Sequence, residues 1–286
     1  MAGYDAGIAS FSQVDISGTI STDSKYNGGV LAANGKIVFV PNYANNVGIF
    51  DPATDAFSTV DISLYITGVF KYGGGVLAPQ GTIVFVPLAA SHVGLFDPGT
   101  NVFSAVSISV AGREGGYQGG ALAPNGKIYF SPLNAASVGV FDPATNVFSA
   151  IDISATISGS YKFRGCVLAP NGKLVLVPEN AHYVGVLDPA TNAFSVVSAP
   201  GATDAYTGGV LAPNGKIYFV PQCIDQVGVF DPATNAFSAI DISATISGKS
   251  KFRGCVFPPP PPNRPRESKY QVSWNRHTYI RMNIHI

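Results

Sequence analysis

Residues 138–154 read VGVFDPATNVFSAIDIS, and with the single change of Val147 to alanine the same letters return at 227–243. Looser copies fill the chain between and before them. Aligned on the Phe-Ser that opens the last segment of each copy, the repeats begin at Phe11, Phe57, Phe103, Phe148, Phe194 and Phe237, with spacings of 46, 46, 45, 46 and 43 residues. That period lies in the range of β-propeller blades and above those of leucine-rich and ankyrin repeats.

Each copy carries four strand signals. In the third these are GGALA (119–123), KIYFSP (127–132), SVGVFD (137–142) and VFSAIDI (147–153). Pro124-Asn125-Gly126 joins the first two, and Asn-Gly tolerates the positive φ of a tight hairpin. Asp142-Pro143-Ala144-Thr145-Asn146 joins the last two, where proline presets φ and the aspartate side chain can accept from turn amides. The first signal is small and glycine-rich, as a crowded position near an axis requires. The second, for example IVFV at 37–40 and 83–86, is apolar on both faces and so needs cover on both. The fourth alternates like an outer edge. A four-stranded antiparallel blade stacked face to face on its neighbours satisfies all three patterns, and the expected fold is an all-β propeller.

The ends point to closure. Residues 1–17 align without gaps on 138–154, so the chain starts inside a blade, and KFRGCV at 251–256 repeats 162–167. Five complete blades plus one composite blade, built from both ends, give an expected count of six. The propeller is expected over 1–256. After Val256 the repeat gives way to a proline-rich basic segment, FPPPPPPNRPRESKYQVSWNRHTYIRMNIHI. Residues 257–286 are read as a disordered tail or a frameshift or mis-splicing product, the alternative being a polyproline II spacer with a basic docking tail.

Composition narrows the function classes. Charged residues make up 12% of the chain, against 46% hydrophobic residues, 32 Gly and 21 Pro. Residues 1–262 hold 12 Lys/Arg against 16 Asp/Glu, so the body is mildly acidic and presents no basic stripe for nucleic acid. No apolar run reaches the length of a membrane span, and no signal peptide is written at the N-terminus. The default expectation is a cytoplasmic monomer. Three cysteines without C-x-x-C spacing argue against a disulfide framework or a zinc site.

The repeat P-N-G-K-I-[YV]-F, the segment V-G-[VI]-F-D-P-A-T and a period in the forties together resemble the streptogramin (virginiamycin B) lyase-like and NHL/YVTN propeller repeats, over roughly residues 1–256. That resemblance implies the blade scaffold. It also implies, for the lyases, a catalytic histidine and metal-associated acidic residues at the channel mouth. This chain instead has Pro41, Pro87, Pro132, Pro178 and Pro221 directly after the second strand, and glycines where the histidine would precede the first. No catalytic residue carries over, and the reading leans away from an enzyme.

Function must then be written in the loops that crowd one mouth of the channel. Tyr26, Tyr72, Tyr117, Phe163, Tyr206 and Phe252 recur ahead of the first strands. Packing over the blade is their expected role, and a stacking surface for a sugar or flat ligand is the functional alternative. Beside them Lys25, Lys71, Arg164 and Arg253 read as solvated loop charges able to meet a carboxylate or sulfate. The second loop set varies most and includes His92, Asn134, Glu179, His182, Gln222 and Asp225. Glu179, His182 and Asp225 form a speculative divalent-metal set, with no other cofactor expected. The best reading is a binding module for a protein, glycan or small molecule at this mouth. Its alternatives are a metal-dependent lyase-like or hydrolytic enzyme, and a recently duplicated, truncated product without selected activity.

Overall fold

A computed structural model describes residues 13–108, 116–201 and 203–254. The described residues form 20 strands and no helix. The first sheet comprises β1 (Tyr26–Leu31), β2 (Ile37–Pro41), β3 (Asn46–Asp51) and β4 (Ala56–Asp61); the second, β5 (Tyr72–Leu77), β6 (Ile83–Pro87), β7 (His92–Asp97) and β8 (Val102–Ser107). The third holds β9 (Tyr117–Leu122), β10 (Ile128–Pro132), β11 (Ser137–Asp142) and β12 (Val147–Asp152), and the fourth β13 (Phe163–Leu168), β14 (Leu174–Pro178), β15 (Tyr183–Leu187) and β16 (Phe194–Ser198). The fifth consists of β17 (Tyr206–Leu211), β18 (Ile217–Pro221), β19 (Gln226–Asp231) and β20 (Ala236–Asp241). Every sheet is an antiparallel meander in chain order.

The turns form as their residues dictate. Asp51, Asp97, Asp142, Asp188 and Asp231 each accept, through Oδ1, the amide two residues on, at 2.8–3.0 Å. They are turn caps. The hairpin asparagines accept the Lys36, Lys127, Lys173 and Lys216 amides at 3.1 Å. Three of them also reach across to the next sheet: Asn34, Asn125 and Asn171 donate to the carbonyls of Pro98, Pro189 and Pro232, and Gln80 does the same to Pro143. One sheet's inner hairpin thereby latches the next sheet's outer turn.

Inner strands β1, β5, β9, β13 and β17 lie side by side in that order. Each carries a bulge that shifts its register against the second strand. At the axis the chains meet backbone to backbone: a Cβ added at Gly119, whose φ is +77°, would lie 2.8 Å from Gly165 Cα. Only glycine permits both that approach and that conformation.

Between sheets the core repeats. Val38, Val40, Val47 and Ile49 pack on Tyr72, Ile83, Phe85 and Phe96, and the same two faces meet at the next three junctions. Two faces have no such partner among the described residues. In the first sheet Ile37 and Phe39 are half-buried and Leu31 is exposed, whereas Ile83 and Phe85 are fully buried. The expectation of cover on both faces of β2 is met only on one. In the fifth sheet Tyr218, Val227 and Val229 form a small cluster of their own, and Asn214 donates to Tyr218 Oη at 3.0 Å, as Asn125 does to Tyr129 Oη at 2.9 Å.

The expected six blades are therefore represented by five described sheets. Two short segments outside the five sheets repeat contacts made within them. At 15–20 the turn that follows β4, β12 and β20 is formed: Ser17 N donates to Asp15 Oδ1 at 2.8 Å, as the Ser63, Ser154 and Ser243 amides do to Asp61, Asp152 and Asp241. Lys251 N donates to Gln222 O at 3.0 Å, matching Lys71 N on Asn42 O and Lys162 N on Leu133 O. The next residue, Phe252, is buried, and its carbonyl accepts from Thr207 Oγ1 of β17 at 3.2 Å. The expected boundary at 256/257 and the proline-rich tail lie outside the described residues.

Candidate functional site

The second residue of each inner strand falls between an aromatic and a glycine: Asn27, Gly73, Gln118, Arg164 and Thr207, with Arg253 in the equivalent place after Phe252. Arg164 is the centre of a polar cluster. Its Nη1 donates to Glu179 Oε1 and to Gln222 Oε1, both at 3.2 Å. Gln118 Oε1, with the amide oriented to meet the guanidinium, accepts from Arg164 Nε at 2.9 Å and Nη2 at 3.0 Å. Three sheets thus converge on one guanidinium, which keeps 28% of its side chain exposed.

Glu179 follows β14 directly and is 4% exposed. Its main chain is tied on both sides, the amide donating to Lys162 O and the carbonyl accepting from Ala205 N, each at 3.0 Å. Oε1 meets Arg164, while Oε2 is buried and receives no donor from the described residues. Burial pushes the carboxyl up to about 7; Arg164 pulls it down, and the nearby Asp204 charge raises it further. The carboxylate is thus held half-paired by Arg164 and not by a metal-binding partner set.

The aromatic ring is not a stacking surface. Tyr72, Tyr117, Phe163, Tyr206 and Phe252 are 0–5% exposed. They lie inside the blades, pressed on the third-strand glycines: Cβ atoms added at Gly94, Gly139, Gly185 and Gly228 would meet the rings of Tyr72, Tyr117, Phe163 and Tyr206 at 2.9–3.1 Å. Tyr26 is half-buried, with its ring 5.6 Å from Phe39 and its hydroxyl donating to Asn46 Oδ1 at 2.6 Å. The packing role is the one observed.

The loop cations also differ from expectation. Lys71 is 1% exposed, and its Nζ donates to the carbonyls of Asn42, Tyr43 and Gly68, tying the first sheet to the second. Lys162 does the same at the next-but-one junction, on Gly159 and Leu133. These ammoniums are clamps, each adding charge-assisted donors to carbonyls at the junction beside the backbone amides of Lys71 and Lys162 that already serve Asn42 O and Leu133 O. Lys71→Met is expected to cost about 1–3 kcal/mol by removing the ammonium's bonds to the Asn42, Tyr43 and Gly68 carbonyls, measured as a shift in the urea midpoint. Arg253 is exposed.

The metal set does not assemble. Among the described residues no group of three His, Cys, Asp or Glu side chains could hold an ion. Glu179 faces Arg164, Asp225 pairs with Lys251 Nζ at 2.7 Å, and His182 is exposed at a φ of 53°. His92 sits between Ser91 Oγ and Tyr65 O, and Asn134 Oδ1 accepts from Tyr161 N at 2.8 Å, so both brace loops. Gln118 went unnamed in the sequence, although variation at the second inner-strand position, between an invariant aromatic and an invariant glycine, was a readable signal.

No protein-family model matches the chain, and no curated protein sequence matches it significantly. Solved structures do. Virginiamycin B lyase from Staphylococcus aureus superposes with a TM-score of 0.66 at 14% identity, over 77% of this chain and 71% of that one. A streptogramin B lyase gives 0.66 at 21% identity, covering 77% and 70%. An auxiliary nutrient binding protein from Bacteroides ovatus gives 0.53 at 14%, covering 76% and 57%. At these identities the likeness is one of fold: an all-β, propeller-like repeat architecture.

Proposed function

We propose that this chain is a six-bladed β-propeller serving as a binding module, with its ligand held at the axial mouth by Arg164, Gln118, Gln222 and Glu179. The observation that carries the reading is the guanidinium fixed by three different sheets yet still partly open to solvent. A side chain so braced loses little further entropy on meeting a ligand, which is the physical advantage of a preorganised site. The folds likened above include a lyase and a nutrient binding protein, so a ligand at this mouth is compatible with the architecture.

Closure by a sixth blade is part of the proposal. Its supports are the outer-strand turn at 15–20, the docking of Lys251 and Phe252 on the fifth sheet, and the two apolar faces left without partners. The propeller would span residues 1–256, with 257–286 outside it.

The test is a thermal-shift screen of small polar ligands against the wild type and an Arg164→Ala/Gln118→Ala double variant. A ligand at 100 times its dissociation constant stabilises by about 2.7 kcal/mol, worth roughly 5–11 °C for a domain of this size. Hits are expected to shift the wild type and not the variant; hits that shift both equally would place the site elsewhere.

A further inference from the structure

The geometry points to a ligand bearing a primary ammonium group, seated on Glu179 Oε2 with its N–H groups donating to that oxygen. The inference rests on the mouth being a binding site and adds the chemistry of what it takes. Glu179 is 4% exposed, its Oε1 is engaged by Arg164, and Oε2 is a buried acceptor that no described protein group serves. A buried polar atom is normally paired, and an acceptor at a binding mouth is most economically paired by the ligand.

Charge points the same way. Among the described residues Arg164 is the cation paired with Glu179, and the nearby Asp204 adds a second negative charge. Arg253, in the equivalent axial place after Phe252, is exposed, and two further lysines are committed. Lys162 Nζ serves the Gly159 and Leu133 carbonyls, and Lys251 pairs with Asp225. The side-chain amides of Gln118 and Gln222, whose oxygens are held by the same Arg164, keep their N–H groups for a ligand oxygen. They suit a hydroxyl or carbonyl oxygen next to the ammonium, as in an amino alcohol. An anion would meet those amides but would face Glu179 and Asp204 directly.

Three glutamates, Glu114, Glu179 and Glu267, occur in the chain, so side-chain carboxyl carbon resonances are few, and Glu179→Gln assigns the one of interest. The probe is 2-aminoethanol, protonated at neutral pH, with ethylene glycol as its uncharged counterpart, choline as a cation without N–H donors, and acetate as the anion. Saturating 2-aminoethanol is expected to lower the Glu179 titration midpoint by about one unit. By linkage, it should bind close to tenfold more tightly at pH 8 than at pH 5. Glu179→Gln should abolish the pH dependence while keeping the wild-type melting profile at low pH.

Equal effects from ethylene glycol, choline or acetate would overturn the ammonium assignment and leave the mouth a binding site for another class. An unmoved Glu179 midpoint with all four probes would overturn it as well. If, in addition, the Gln118 and Gln222 amide resonances stayed still in the broader ligand screen, the binding-site reading itself would fall.

Discussion

Gly119→Ala is expected to lower the melting temperature by roughly 5–15 °C. The substituted residue would keep a φ of +77°, in the left-handed region that costs a side chain about 1–2 kcal/mol. Its Cβ would also lie 2.8 Å from Gly165 Cα and 3.1 Å from Gly165 N, atoms of a neighbouring inner strand that cannot rotate away. Overpacking of this kind adds about 1–3 kcal/mol, and each kcal/mol moves a domain of this size by about 2–4 °C. Gly126→Ala is the control. Its φ of +78° is the same, but nothing lies within 4 Å of the added atom, so only the backbone term applies. Equal losses in the two variants, measured by circular dichroism melting, would show that the inner strands do not pack at the axis as described.

Glu179→Gln should make the protein more stable at alkaline pH, the reverse of the usual effect of removing an ion pair. The folded carboxyl titrates near 7 and its ordinary value is 4.5. Between those values the native state binds more protons than the unfolded state, so stability is fully present below about 4.5 and falls as pH rises through 7. A shift of that size corresponds to about 3 kcal/mol. The cause is mainly desolvation, which Arg164 offsets in part, so a carboxamide that still accepts from Arg164 avoids most of the cost. Urea unfolding at pH 4 and pH 8 should show the variant gaining about 3 kcal/mol on the wild type across that interval; parallel profiles would refute it. If Glu179 serves the proposed binding site, stability given up there is the ordinary trade between binding and folding.

The two variants probe opposite kinds of legibility. Gly119 belongs to a pattern written in every repeat, and its crowding was anticipated from the glycine-rich first strand alone. Strand boundaries, hairpin asparagines and capping aspartates were equally readable, because a turn type restricts residues over only a few positions. The aromatic ring could be read as repeat packing, although its total burial under the third-strand glycines required coordinates. Glu179 was visible as a chemical group in a variable loop, but its partners were not. Nor was the clamp role of Lys71 and Lys162, since a lysine before a strand looks solvated until the carbonyls around it are placed.

What the amino-acid order determined by itself was therefore local and repeated: the strand periodicity, the turn chemistry, the period of about 46 residues and the stacking of like on like. The tertiary structure alone decided the site. Arg164 stands one repeat, 46 residues, from Gln118, and 15 and 58 residues from Glu179 and Gln222; the repeat makes them two equivalent pairs but does not say that the pairs touch. They meet because the close approach of glycine backbones brings the second inner-strand residues Gln118 and Arg164 of neighbouring sheets beside Glu179 and Gln222, which directly follow the second strands β14 and β18. That convergence is a property of the stacked sheets and of no single repeat.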